Sequence, residues 1–361
     1  MRAAFFAAFL FLAACSASDE TVLEPVAFDE LPDWARDQHA APFTVFANSC
    51  KVNLRRANPW QTRLGEAIGD PASWRKVCEQ ALLLEAPTDD EARSFFEANF
   101  QPVRVKTGRE PYGLFTGYYE PLLHGATKRG GPYQTPVYGL PRGKKDYSRT
   151  EILGGALNGK APVLLYVNDP VMLFFLHIQG SGKVRLTDGS IVGLQYAGKN
   201  DHPYVAIGKV LKDAGELSEV SMQTIRDWLR EHPQRANWLM NQNPSYIYFT
   251  LSPGHEYAKG ALGIPLTPER SLAVDDDRAT YGVPTYIATT RLNYFMGYPE
   301  QYRRLFVSQD TGGALKGPHR GDIFFGRGEA EEWMAGHQNA RGKAYWLLPA
   351  PSAMPLPNTW W

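Results

Sequence analysis

Gln309-Asp310-Thr311-Gly312-Gly313-Ala314-Leu315-Lys316-Gly317-Pro318-His319-Arg320-Gly321-Asp322-Ile323-Phe324-Phe325-Gly326 places two aspartates on either side of a turn-rich spacer. Its glycines and Pro318 let the chain bend tightly and approach other backbone closely. Each aspartate borders an apolar, strand-like run: Leu305-Phe306-Val307 precedes Asp310, and Ile323-Phe324-Phe325 follows Asp322. The stretch therefore reads as strand, turn, strand. A carboxylate at a strand end against aromatic side chains is partly desolvated, which raises its pKa and lets it hold a proton near neutrality. A general acid needs that property. Taken singly, each aspartate reads more simply as a turn residue.

The start of the chain addresses the compartment. Met1-Arg2 is followed by an apolar run, Ala3 to Ala14, too short to span a bilayer as a stable helix. It ends Leu12-Ala13-Ala14-Cys15, which resembles a bacterial lipoprotein signal in which Cys15 is lipidated and becomes the mature N-terminus. Ser16 rather than Asp after the cysteine implies, by that resemblance, the outer membrane. An ordinary signal peptide with a chance cysteine is the alternative. Residues 1–14 are thus expected as a signal peptide and 15–40 as a tether, leaving a lipid-anchored domain on the periplasmic side. Cys50 and Cys78 are the other cysteines. In an oxidising compartment they read as a disulfide, with a buried free thiol at Cys78 as the alternative.

Lys+Arg and Asp+Glu each total 38, so the net charge is zero, and no basic block points to a nucleic-acid partner. Aromatics reach 12%, which suits sugar stacking and a β-rich core equally. From Phe43 to Phe100 the pattern is helical: Asp70-Pro71 starts one helix, and Thr88 to Glu91 forms a capping box for another. From Pro102 to about Leu211 short strand-like runs alternate with Gly and Pro turns, among them Phe115 to Tyr119, Val163 to Val167, Met172 to Gln179 and Lys183 to Leu186. Asp188-Gly189 is a hairpin turn. A helix carries Met222, Ile225, Trp228 and Leu229 and stops at Pro233. Strands return after Asn243-Pro244, which together suggests barrels rather than parallel βαβ units.

Several chemistries fail on the residues. Gly180-Ser181-Gly182-Lys183 is not a phosphate loop, because His177 stands where the first glycine belongs and Val184 follows the lysine. No pair of histidines has metal-ligand spacing on one element, and no Gly-x-Ser-x-Gly elbow occurs. Neither a metal nor a cofactor is expected. Carboxylates remain. Asp275, after Ser271-Leu272-Ala273-Val274, is a third strand-edge aspartate, although it also opens the acidic run Asp275-Asp276-Asp277. Carboxylates that share a site push one another's pKa upward.

Phe115-Thr116-Gly117-Tyr118-Tyr119-Glu120-Pro121, His177 to Gly182, Tyr196-Ala197-Gly198-Lys199-Asn200 and Asn243-Pro244-Ser245 resemble motifs of the membrane-bound lytic murein transglycosylase A family. Asp275, Gln309 to Gly317 and Gly321 to Phe324 resemble its C-terminal domain, named for three aspartates. The likeness runs from about residue 45 to 349 with the motifs in order. It implies a mainly β protein with flanking helices: a double-psi β-barrel domain from 41–120 and 247–361, a smaller β-barrel domain inserted at 121–246, and a glycan groove between them.

The resemblance further implies cleavage of the β-1,4 bond between N-acetylmuramic acid and N-acetylglucosamine, with the muramic acid's own 6-hydroxyl attacking to give a 1,6-anhydro product. One carboxyl group then suffices as acid and base. By motif position Asp322 is that group, with Asp310 and Asp275 supporting it. Thr116, Tyr118, Gln179, Gly180 and Ser181 are expected to contact sugar, and Lys316 the acidic groups of the substrate. Only one of Tyr118 and Tyr119 should face the groove, since alternate strand residues face opposite sides. Expected partners are peptidoglycan strands, the outer membrane through the lipid, and peptidoglycan synthases. A non-catalytic wall-binding lipoprotein and an inverting two-aspartate hydrolase are the alternatives.

Overall fold

The computed structural model describes residues 20–144 and 146–350. The leader 1–14, the lipidation candidate Cys15 and the Trp360-Trp361 end lie outside the described residues. In chain order, β1 (Thr21–Pro25) precedes helices α1 (Ala40–Asn53), α2 (Pro71–Leu83) and α3 (Asp89–Asn99). Strands β2 (Phe100–Thr107) and β3 (Gly113–Tyr118) follow. The middle of the chain holds β4 (Leu122–Ala126), β5 (Thr135–Tyr138), α4 (Arg149–Leu153), β6 (Val163–Val167), α5 (Pro170–Gln179), β7 (Gly182–Leu186) and β8 (Ile191–Lys199). It continues through α6 (Ile207–Asp213), α7 (Met222–Glu231), α8 (Pro233–Asn241) and β9 (Ile247–Pro253). The last part comprises β10 (Ser271–Val274), β11 (Pro284–Leu292), β12 (Pro299–Thr311), β13 (Gly321–Phe324), α9 (Glu329–His337) and β14 (Asn339–Pro349).

Six strands close a barrel in the order β14, β11, β12, β10, β13, β3, and β3 pairs back onto β14. Two neighbouring pairs are parallel, β10 with β12 and β13 with β3, and the rest are antiparallel. This is the mainly β barrel expected, built from both ends of the chain. Alternation sends Phe115, Leu272, Val274 and Ile323 to the core, where all are nearly inaccessible. Helices α1 to α3 cover that core with Phe43, Phe46, Trp74, Phe95 and Phe96. The two helix starts read from sequence are present. Asp70 accepts from the N–H of Ala72 and Ser73, and Thr88 exchanges hydrogen bonds with Glu91.

A second sheet, β5-β6-β4-β7-β8-β9, is flanked by α4 to α8. Its edge strands meet through a single bridge between Gly139 and Phe249, which curls it toward closure. The strand β9 pairs with β8 over Ile247 to Pro253. The boundary expected at 246/247 therefore falls inside this sheet, and the chain returns to the barrel only after Pro253.

Two further expectations are corrected. Met172 to Gln179 is not a strand but most of α5. Asp169 accepts from the N–H of Val171 and Met172, Pro170 occupies the first turn, and Gly180 closes the helix at φ +80°. The run is apolar on every side and carries no clear period, so its caps decide. The stretch 15–40, expected as a tether, is built into the domain over its described part. Its β1 pairs along β2, Leu31 and Trp34 are buried, and Trp34 meets Tyr286 edge-on at 5.4 Å. Asp37 makes a buried ion pair with Arg270 at 2.9 Å. Proline and acidic content suggested a leash, but β2 had a free edge and two large apolar side chains had a core to enter.

Cys50 in α1 and Cys78 in α2 form a disulfide across 28 residues. Opening a loop of that size frees unfolded-chain entropy worth about 3.5 kcal/mol. Cys50→Ala/Cys78→Ala should therefore lower unfolding stability by roughly 2–4 kcal/mol. Denaturant midpoints measured with and without reductant check this; an unchanged midpoint in the double variant would refute it.

Candidate functional site

Three barrel strands set the site's frame. Ala273 in β10 is in register with Asp310 of β12 on one side and Asp322 of β13 on the other. Two strand spacings thus separate the aspartate α-carbons, about 10 Å. The register of β10 with β12 shifts between Leu272 and Ala273, so Ser308 and Asp310 pair successively and Gln309 is the extra, bulged residue. Gln309 points inward. Its amide donates to Ser49 Oγ at 2.8 Å and its Oε1 accepts from Ser271 Oγ at 2.6 Å. Asp310 consequently emerges on the outer face with Ala273 and Asp322.

On the same face β3 supplies Thr116, in register with Asp322, and Tyr118, in register with Phe324. The Thr116 hydroxyl donates to Asp322 Oδ1 at 2.8 Å and accepts from Arg320 Nη2 at 2.7 Å. Asp322 Oδ2 has no hydrogen-bond partner among the described residues. Burial raises the Asp322 pKa, and the nearby Arg320 charge and the Thr116 bond only partly offset this. Tyr204, from the loop between β8 and α6, lies near enough that burial first, then the Asp322 charge, raises its pKa. The residue remains 41% exposed.

Asp310 is held differently. Its Oδ1 accepts from the Ala261 N–H at 3.0 Å and its Oδ2 from the Tyr118 hydroxyl at 3.0 Å. Burial nevertheless pushes its pKa to about 6, against those hydrogen bonds and with a smaller contribution from Asp322. The Tyr118 ring packs 5.1 Å from Phe324. Tyr119 turns to the opposite side, so one tyrosine of the pair faces the carboxylates.

Asp275 and Lys316 do not join them. Asp275 Oδ2 accepts from Gly317 N at 2.8 Å and so fastens the turn between β12 and β13. Lys316 lies 3.3 Å from Asp277 and 3.8 Å from Asp275, neutralising the acidic run rather than facing Asp322. Arg63 answers Asp277 from the other side at 2.6 Å. Two side-chain cations thereby offset part of the charge of the three aspartates.

From the second domain, Gln179 Oε1 accepts from the Tyr119 N–H at 3.0 Å, leaving its NH2 group without a partner among the described residues. Gly180 and Ser181 follow at the end of α5, with Ser181 buried. Sequence reasoning missed the clip beside them. Glu120 is buried and lies 3.3 Å from Lys183 of β7 and 2.8 Å from Arg327 after β13, while its Oε1 accepts from Ala258 N. It joins the two domains just behind Tyr118. Ala273, Tyr204 and Arg320 were also missed. A strand-centre alanine, a loop tyrosine and a turn arginine carry no sequence signal of their own.

Residues 114–250 match the family model described as the MltA specific insert domain, and residues 270–348 match the 3D domain. The membrane-bound lytic murein transglycosylase A of Escherichia coli strain K12 is 38% identical over 258 residues, 68% of this chain and 69% of that protein. The Vibrio cholerae protein of the same name is 35% identical over 254 residues, 67% of this chain and 68% of its own. Among solved structures, a membrane-bound lytic murein transglycosylase from Agrobacterium tumefaciens superposes with a TM-score of 0.80 at 32% identity, covering 91% of this chain and 97% of that one. Escherichia coli MltA with bound chitohexaose gives 0.73 at 29% identity, covering 92% and 97%.

The raised Asp310 pKa carries a stability consequence. The folded state binds its proton more tightly than the unfolded chain, so this group's contribution falls as pH rises from about 4 to about 6. Asp310→Asn removes that cost and should be more stable than the parent at pH 7, by up to about 3 kcal/mol, with the gap closing below pH 4. Thermal melts at the two pH values test it. A variant less stable at pH 7 would contradict the assignment.

Proposed function

The chain belongs to the membrane-bound lytic murein transglycosylase A family and is a peptidoglycan lytic transglycosylase, and from that premise we propose that Asp322 is its acid and base. One observation carries this reading. Of the two outer-face aspartates, only Asp322 keeps an oxygen free of hydrogen bonds, whereas both Asp310 oxygens are taken by Ala261 and Tyr118. A free, half-buried carboxyl with a raised pKa can approach a glycosidic oxygen and protonate it.

The steps balance with one group. Protonated Asp322 gives its proton to the glycosidic oxygen as the bond from C1 of N-acetylmuramic acid breaks. The resulting carboxylate takes the proton from that sugar's 6-hydroxyl as the oxygen bonds to C1, restoring the acid and yielding the 1,6-anhydro ring. Water is not consumed. An inverting hydrolase would need a second carboxylate free to activate water. Asp310 is committed to its two donors, which favours the intramolecular route. A binding module would have no use for a desolvated, raised-pKa carboxyl.

In this reading Thr116 orients Asp322 and relays Arg320, which tempers the pKa. Asp310 acts on Asp322 as a neighbouring carboxylate, and Asp275 acts by holding the turn. Tyr118, Gln179, Gly180 and Ser181 line the sugar path, with the Gln179 amide available to an acetamido or hydroxyl oxygen. Lys316 belongs to the turn rather than to the substrate. No helix among the described residues is long and apolar enough to cross a membrane. The relatives are named membrane-bound, and lipidation at Cys15 on the periplasmic face of the outer membrane is the attachment we assign.

Asp322→Asn should lower the turnover of purified peptidoglycan by about 10³-fold or more while leaving glycan binding in place. Mass spectrometry of the digest reads the chemistry, since anhydro products are about 18 mass units lighter than hydrolytic ones. Reducing-end products, or full activity in the variant, would defeat the proposal. The pH profile gives an independent check. Catalysis needs the protonated acid, so activity should fall as pH rises through the Asp322 pKa. Tyr118→Phe removes a donor that lowers the Asp310 pKa, so less of Asp310 is charged, Asp322 loses its proton sooner, and the falling limb should move to lower pH. A limb that moves upward would contradict the coupling.

A further inference from the structure

The second domain contains a cavity of about 440 Å³ between β5, β6 and helices α4, α5 and α8. Two guanidinium groups, Arg129 at its rim and Arg149 at its floor, line it, and no aspartate or glutamate among the described residues does. Arg149 is only 3% exposed. A buried cation is ordinarily paired with an anion, because removing it from water unpaired is costly. Here its partners are neutral: the carbonyls of Asn243 and Ser245 and the ring of His177. Its faces lie against Phe174 at 4.6 Å and Tyr246 at 5.2 Å. Three of its five N–H bonds are thereby used and two remain. Burial lowers its pKa to about 10, as expected for a cation without a counter-charge.

His177 supplies a second, independent sign. It is 6% exposed and also lines the cavity. Its Nδ1 accepts from Arg149 Nη1 at 3.0 Å, and because arginine only donates, the ring proton must sit on Nε2. That buried N–H has no acceptor among the described residues. Burial, then the Arg149 charge, holds the His177 pKa well below its usual value, so the ring stays neutral and the donor persists. The Tyr138 and Tyr246 hydroxyls likewise have no hydrogen-bond partner among the described residues. A purely structural arginine clamp would require neither the cavity, nor the orphaned histidine N–H, nor a second cation at the rim.

We infer that this cavity is a carboxylate-binding subsite that receives the stem peptide of the peptidoglycan strand lying in the groove. The inference rests on the lytic transglycosylase reading for the identity of the strand. Helix α5 connects the two places: Gln179 reaches Tyr119 at the groove, and His177 faces the cavity two residues earlier. The two places lie on opposite sides of α5, so a path between them runs half-way round the helix, about 16 Å. An extended chain of about five residues covers that distance, the length of a lactyl link followed by a tetrapeptide. A stem peptide leaving muramic acid is therefore long enough to bring a carboxylate to Arg149 and Arg129, with the His177 N–H as a third donor.

The test compares two substrates: strands carrying tetrapeptide stems and the same strands stripped by an amidase. Arg129→Gln alters an exposed rim residue and should fold normally. It should raise KM for the peptide-bearing strand about tenfold, leave kcat unchanged, and leave the stripped strand unaffected. Arg149→Lys, checked by its melting temperature, should do the same, since it keeps the charge but loses the fork. Free tetrapeptide should inhibit cleavage of the peptide-bearing strand by the parent protein and not by Arg129→Gln, whereas acetate should inhibit neither. Equal KM for both strands in the parent protein, or no change in Arg129→Gln, overturns the subsite. Failure of the parent protein to release anhydro products from either strand would instead remove the reading on which it rests.

Discussion

The bulge at Gln309 is the constraint on which the site depends. A regular ladder would set Gln309 opposite Ala273 and turn Asp310 into the barrel. One extra residue lets Gln309 keep its two inward hydrogen bonds, to Ser49 and Ser271, while Asp310 appears outside. The bulge is stabilised from within, because an inward amide between two buried hydroxyls is costly to withdraw. Helix α1, which carries Ser49, thus helps to set where Asp310 stands although it lies on the far side of the barrel wall. The disulfide to α2 holds that helix in place.

The outer face then uses burial in opposite ways. Asp310 is desolvated yet fully hydrogen-bonded, so it serves as a fixed neighbour whose charge appears only near neutral pH. Asp322 is desolvated and half-bonded, so it retains reactivity. The folded state is weakened by both, since each raised carboxyl pKa favours the unfolded chain at neutral pH. The Glu120 clip opposes any loosening at this point. It joins three segments of two domains around one buried carboxylate, beside the strand that carries Thr116 and Tyr118.

The second domain adds what the barrel lacks. It contributes Tyr204, whose hydroxyl feels the Asp322 charge, and Gln179 beside Tyr119. Its cavity is positively charged and acid-free, which complements a polymer whose branches end in carboxylates. Helix α5 reaches both places because it is short, capped by Asp169 and ended by Gly180, so its final turn lies at the junction rather than passing through it.

The motif order and the strand-turn-strand pattern around Asp310 and Asp322 made the β-rich barrel and its aspartates legible in the sequence; capping chemistry did the same for α2 and α3, and apolar spacing with the stop at Pro233 did so for α7. Those signals are local. Dihedral preference, side-chain alternation and caps act over a few residues and can be read from neighbours. Tertiary structure decided the rest. It turned an apolar run at Met172 into a helix, drew Trp34 from an expected leash into the core, and engaged Lys316 with Asp277. It also moved the domain boundary past β9. Above all, it determined which carboxylate keeps a free oxygen. That choice follows from donors supplied by Ala261, Tyr118 and Thr116, which lie roughly 50 to more than 200 residues away in the chain, and no local pattern records such distant partners.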